Sequence, residues 1–162
     1  MADNHIRITT RSAAQTRKLG HCLGRAIHQA TVIALTGDLG SGKTAFVQGL
    51  AKGLNVSEKY YITSPTFTII NEYPGRLCLF HVDLYRIAHL AELEEIGLEE
   101  ILKEDAVIAI EWAQKLPADA LADHFELRFN MIGANTRRIE VFAYGHPAVN
   151  LLRTLKIQLK DL

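Results

Sequence analysis

Residues Gly37–Thr44 read GDLGSGKT and satisfy the pattern G-x-x-x-x-G-K-[ST] at each required position. The chemistry of that pattern is phosphate binding. Glycines without a Cβ let successive backbone N–H groups curl around phosphate oxygens. A helix starting behind the loop adds its free N–H groups and the positive end of its dipole. Lys43 is then placed to reach β and γ phosphates, and the Thr44 hydroxyl to take one Mg²⁺ position. The predicted nucleotide-binding set is Gly37, Asp38, Leu39, Gly40, Ser41, Gly42, Lys43, Thr44 and the adjoining Ala45.

Hydrolysis needs more than phosphate binding. It requires a carboxylate to help hold Mg²⁺ and groups that orient water on the γ-phosphate. Two apolar runs end in an acid: LCLFHVD, closing on Asp83, and AVIAIE, closing on Glu111. The local pattern does not rank them. Because AVIAI is wholly apolar, it is expected centrally, beside the strand that feeds the phosphate loop, which places Glu111 at or near the metal. The segment Ser64-Pro65-Thr66-Phe67-Thr68 offers hydroxyls within a loop, as segments that close on a γ-phosphate do. Alternation places His81 and Asp83 on one strand face, with Tyr85 and Arg86 just beyond.

The elements that must carry these groups follow from periodicity. Thr31–Thr36 (TVIALT) is a strand leading into the loop, and Val47, Leu50, Ala51 and Leu54 continue a helix behind it, weakened by Gly49 and Gly53. A helix over about 12–29 opens on Ser12 and Gln15, a capping-box pair. His5–Ile8 is read as a short edge strand and Tyr60–Ile62 as a brief one. Ile69–Tyr73 with Leu77–Asp83, and His124–Met131 with Arg137–Tyr144, are each expected to pair as antiparallel hairpins. Ala91–Lys103 reads as a helix interrupted at Gly97, and Pro147 opens a final helix. The assembly predicted is a single α/β domain over 1–162, with a mixed central β-sheet flanked by helices and the phosphate loop at the carboxyl end of a strand.

Composition narrows the partners. The 162 residues carry 18 basic and 18 acidic side chains, which argues against broad autonomous binding to nucleic acid. The charges are segregated. Arg7, Arg11, Arg17, Lys18 and Arg25 face only Asp3 in residues 1–36, while 88–111 hold seven glutamates and Asp105 against Lys103. The acidic block reads either as a solvated helix face or as a surface for a basic partner. Cys22 and Cys78 lie in apolar stretches and read as reduced, buried thiols. With no apolar run of membrane-spanning length and no basic-then-apolar leader, a cytoplasmic protein is expected.

GDLGSGKT, SPTFT at 64–68, HVDLYR at 81–86, LEEIGLEE at 93–100 and IEW at 110–112 together resemble, in order and spacing, the TsaE (YjeE) family. These are small bacterial P-loop ATPases required for threonylcarbamoyl modification of tRNA, and the resemblance runs over nearly the whole chain. It departs mildly at Ser41, often alanine in the family, and at Ala45, where a second threonine is common. The resemblance implies ATP and Mg²⁺ at Lys43 and Thr44, and a first switch at Ser64–Thr68 with Thr66 and Thr68 as its ligands. It implies functional acids at Asp83 and Glu111, and a family tryptophan at Trp112. It further implies ATP hydrolysis in association with a TsaD–TsaB pair that transfers the threonylcarbamoyl group to the adenosine 3′ of the anticodon. In that arrangement tRNA is met only through the complex.

The rival readings fare less well against the same residues. A small-molecule or nucleoside kinase would use the same loop, but no arginine-rich lid or acceptor-base segment follows it. A GTPase would want an N-K-x-D run, which does not occur. A binding module without catalysis would have little use for both Asp83 and Glu111.

Overall fold

A computed structural model of the chain describes residues 4–161. Seven strands form one sheet: β1 (His5–Thr10), β2 (Thr31–Gly37), β3 (Ile70–Tyr73), β4 (Leu79–Asp83), β5 (Val107–Glu111), β6 (His124–Met131) and β7 (Arg137–Tyr144). Their order across the sheet is β1-β7-β6-β2-β5-β4-β3. Strands β6, β2, β5 and β4 run parallel at the centre. The antiparallel pairs β3–β4, β6–β7 and β1–β7 complete the flanks. Both expected hairpins form, and β1 is the expected edge strand, two residues longer than the alternation alone marked.

Three longer helices, α1 (Ala13–Ala26), α2 (Lys43–Gly53) and α5 (His146–Gln158), pack on one face of the sheet with Ile33, Leu35, Val107, Ala109, Phe125 and Leu127. The short α3 (Ala91–Glu95) and α4 (Leu98–Ile101) close the other face over Ala34, Val82, Ile108 and Ile110. Period-two alternation along β2 and β5 supplies both layers. Glycines at 49 and 53, which weaken a helix as local signals, have a packing reason here. A Cβ at Gly49 would stand 1.8 Å from the carbonyl oxygen of Arg17, so α1 and α2 approach only because that atom is absent.

Local signals resolve as capping physics predicts. Ser12 accepts the Gln15 N–H at 3.1 Å, while Gln15 accepts the Arg11 N–H at 2.7 Å. Gly97, at φ 74°, separates α3 from α4 as the interruption foretold. Tyr60–Ile62 departs from expectation and forms no strand. Its backbone is claimed elsewhere: Gln48 donates to the Ile62 carbonyl at 3.0 Å, and the Tyr60 N–H donates to the Ser57 carbonyl at 3.1 Å.

Candidate active site

The phosphate loop takes its shape from three glycines at positive φ: Gly37 at 144°, Gly40 at 77° and Gly42 at 108°. Only glycine occupies such angles without strain. A Cβ on Gly40 would meet nothing within 4 Å, so open space adjoins the backbone there. Lys43 turns back over the loop and donates to the carbonyls of Gly37 at 2.7 Å and Asp38 at 2.9 Å. Its ammonium also sits 4.5 Å from the centre of the Trp112 ring.

Sheet register brings the two acids together. Leu35 of β2 lies opposite Glu111 of β5, and Glu111 lies opposite Asp83 of β4. On β4, Leu79, His81 and Asp83 alternate onto the face beneath α2, as do Val107, Ala109 and Glu111 on β5. Thr44 donates to Glu111 Oε1 at 2.8 Å, and His81 Nε2 lies 3.0 Å from the same oxygen. A carboxylate only accepts, so the His81 proton belongs on Nε2. Asp83 Oδ1 accepts the Tyr85 N–H at 2.9 Å. Its Oδ2 accepts from Thr66 at 3.2 Å and from Ser64.

Ser64 stands between the acids: besides Asp83, its Oγ is 3.3 Å from Glu111 Oε2. One hydroxyl carries one proton and cannot donate to both carboxylates at once. Glu111 and Asp83 are 3% and 1% exposed, so their negative charge is matched inside the site or not at all. Lys43 supplies part of that match. Burial depresses its pKa from the ordinary value, and Glu111, Asp83 and Asp38 pull it the other way.

These groups share one cavity of about 470 Å³, within the size range of small-ligand sites. Its lining runs from Leu39 to Ala45 along the loop and takes in Ser64, Thr66, Asp83 and Glu111. The donor set, two carboxylates with hydroxyls from Thr44, Ser64 and Thr66, is all hard oxygen. Among the described residues no group of three or more His, Cys, Asp or Glu is poised to hold a metal. A site of this kind suits Mg²⁺, which binds through one or two carboxylates and completes its shell with substrate phosphates and water.

A family model described as "Threonylcarbamoyl adenosine biosynthesis protein TsaE" matches residues 10–139. The chain belongs to the TsaE family. A Treponema pallidum (strain Nichols) protein named tRNA threonylcarbamoyladenosine biosynthesis protein TsaE is 38% identical over 136 residues, which cover 84% of this chain and 99% of that one. A Nostoc protein of the same name is 44% identical over 119 residues, covering 71% of this chain and 72% of its own. The crystal structure of Bacillus subtilis YdiB superposes with a TM-score of 0.80 at 29% identity, covering 95% of both chains.

Within this TsaE-family fold most of the predicted site residues converge. Gly37 and Asp38 face Lys43 through their carbonyls rather than the cavity. Thr68 also stays out of the cavity. The turn at 66–69, closed by the Ile69 N–H on the Pro65 carbonyl at 2.7 Å, sends the Thr68 hydroxyl outward to Asn71 at 2.9 Å. Ser64, rather than Thr68, joins Thr66 in turning a hydroxyl toward the acids, and nothing in SPTFT distinguishes one hydroxyl from another before that turn forms. The lining also includes Ser12, Thr16, Asn135 and Arg137. Topology alone brings these to the loop, so no local motif announces them. His81 did leave a trace, in its alternation with Asp83.

Proposed function

We propose that this chain is a Mg²⁺-dependent ATPase supporting a TsaD–TsaB complex in threonylcarbamoylation of the adenosine 3′ of the tRNA anticodon. One observation carries the ATPase reading: Lys43, Thr44, Asp83 and Glu111 line a single cavity together with the Ser64 and Thr66 hydroxyls. The role in tRNA modification rests on family membership and on the names of the relatives.

In this reading the loop amides and the N-terminus of α2 cradle the phosphates of ATP, and Lys43 answers their charge. Thr44, Glu111 and Asp83 would hold Mg²⁺, which supplies charge neutralisation to the phosphate oxygens when bound. Ser64 and Thr66, tethered to Asp83, stand where a loop could close over the γ-phosphate and exclude water other than the attacking one. The zero formal charge accords with tRNA reached only through the complex. No helix among the described residues is long and apolar enough to cross a membrane.

The test is ATP turnover at fixed ATP and Mg²⁺, alone and with purified TsaD–TsaB titrated in. Slow hydrolysis alone and a severalfold rise with the partners are expected. A flat titration with partners shown to be active would remove the partnership. Absence of any ATP binding or hydrolysis would remove the ATPase reading itself.

A further inference from the structure

Arg137, the first residue of β7, lies outside every motif quoted for the family, yet it lines the cavity. Its guanidinium faces only backbone carbonyls. Nε donates to Ser41 at 3.0 Å and Nη2 reaches Gly40 at 3.3 Å, both in the phosphate loop. Nη1 faces Gly133, Ala134 and Thr136 at 3.1, 3.4 and 3.1 Å, in the turn between β6 and β7. Among the described residues no carboxylate pairs with it. A planar fork of five donors thus ties the β6–β7 turn to the phosphate loop, whose Ser41 lies 96 residues before Arg137.

We infer that Arg137 is a positioning residue of the nucleotide site, fixing the phosphate loop from outside and coupling its order to that of the β6–β7 turn. The peptide unit is planar and trans, so its C=O and N–H point to opposite sides. Holding the Ser41 carbonyl against the guanidinium therefore sets the direction of the Gly42 N–H, one of the donors a phosphate cradle needs. Glycine-rich backbone is intrinsically free to reorient. A loop held in place before ligand arrives loses less entropy on binding, and that difference appears as affinity. The turn residues Gly133–Asn135 are exposed, so the same clamp ties a solvent-facing segment to the occupancy of the site. This inference rests on the phosphate-site reading above.

The experiment measures ATP and ADP affinity by calorimetry, steady-state kcat and KM, and amide hydrogen exchange, for the wild-type chain, Arg137→Ala and Arg137→Lys. Arg137→Ala is expected to bind both nucleotides at least about tenfold more weakly, the scale of one lost charge-assisted hydrogen bond, with KM affected more than kcat. Amides in 37–44 and 132–136 should exchange faster together, with or without nucleotide. Arg137→Lys should recover little, because one ammonium cannot bridge both segments with a fixed fork. If Arg137→Ala does not fold, Arg137→Lys carries the same expectations. Wild-type affinity and unchanged exchange in 37–44 would overturn the inference, as would full rescue by lysine. Failure of the wild-type chain to bind nucleotide would defeat the phosphate-site reading. The exchange measured without nucleotide would still decide whether Arg137 fixes the loop.

Discussion

Thr44 donates its hydroxyl to Oε1 of Glu111 across 2.8 Å, joining the end of the phosphate loop to the end of β5, 67 residues on. Asp83 has no contact with Thr44 among the described hydrogen bonds; its oxygens hold Tyr85, Ser64 and Thr66 instead. The two acids, equivalent as strand-end carboxylates, thereby acquire different neighbours.

Glu111→Ala is expected to lower Mg²⁺-dependent turnover by about a hundredfold or more, on the scale of removing one electrostatic contact to a reacting centre. ATP affinity should change far less, since the backbone cradle is untouched. Titration of Mg²⁺ against hydrolysis, beside a binding isotherm, checks both parts. A mutant with the wild-type rate and Mg²⁺ dependence would take Glu111 out of the site.

Ser64→Ala and Thr66→Ala should each impair turnover, whereas Thr68→Ala should leave it near wild type. The first two hydroxyls bond Asp83, and the third bonds Asn71 at the surface. Parallel rate measurements on the three variants decide it. A Thr68→Ala defect equal to that of Ser64→Ala would mean that the 66–69 turn rearranges when nucleotide binds.

Lys43→Met is expected to abolish turnover while the chain still folds. Burial depresses the Lys43 pKa, so the folded chain holds this proton less tightly than the unfolded one. For a basic group with a lowered folded pKa, stability rises with pH between that lowered value and the ordinary 10.5. Lys43→Met should lack this contribution, so its melting temperature should fall more steeply than the wild type's over that range. There the Cys78 thiol, pushed up to about 11 by burial, adds the opposite trend to both chains. A mutant clearly less stable than wild type at neutral pH would show that the Lys43 hydrogen bonds outweigh its burial.

Trp112, the single tryptophan, should report on the site directly. Its ring lies 4.5 Å from the Lys43 ammonium and 5.1 Å from Tyr85. Phosphates that draw Lys43 toward themselves alter the charge over the indole, so ATP or ADP is expected to shift or quench its emission. Lys43→Met should blunt the change. Emission unaltered at nucleotide concentrations that saturate binding would place the ligand away from this ring.

The phosphate-loop form of Gly37–Thr44 was legible in sequence alone, because such a loop is contiguous: its glycines set the local backbone shape that carries the lysine and threonine. The same holds for the Ser12 cap, the break at Gly97 and the two hairpins, each set by neighbours a few residues apart. Strand-end acids were legible as a pair, and the wholly apolar AVIAI run marked Glu111 for the strand beside β2, where β5 lies. The neighbours each acid takes depend on register across β2, β5 and β4. Tertiary structure decided that Glu111 meets Thr44, that Ser64 rather than Thr68 turns inward, and that Arg137 reaches the loop. Each of those choices is a contact between distant segments, set by sheet order and by which backbone groups remain to be satisfied. No stretch of the chain carries that information on its own.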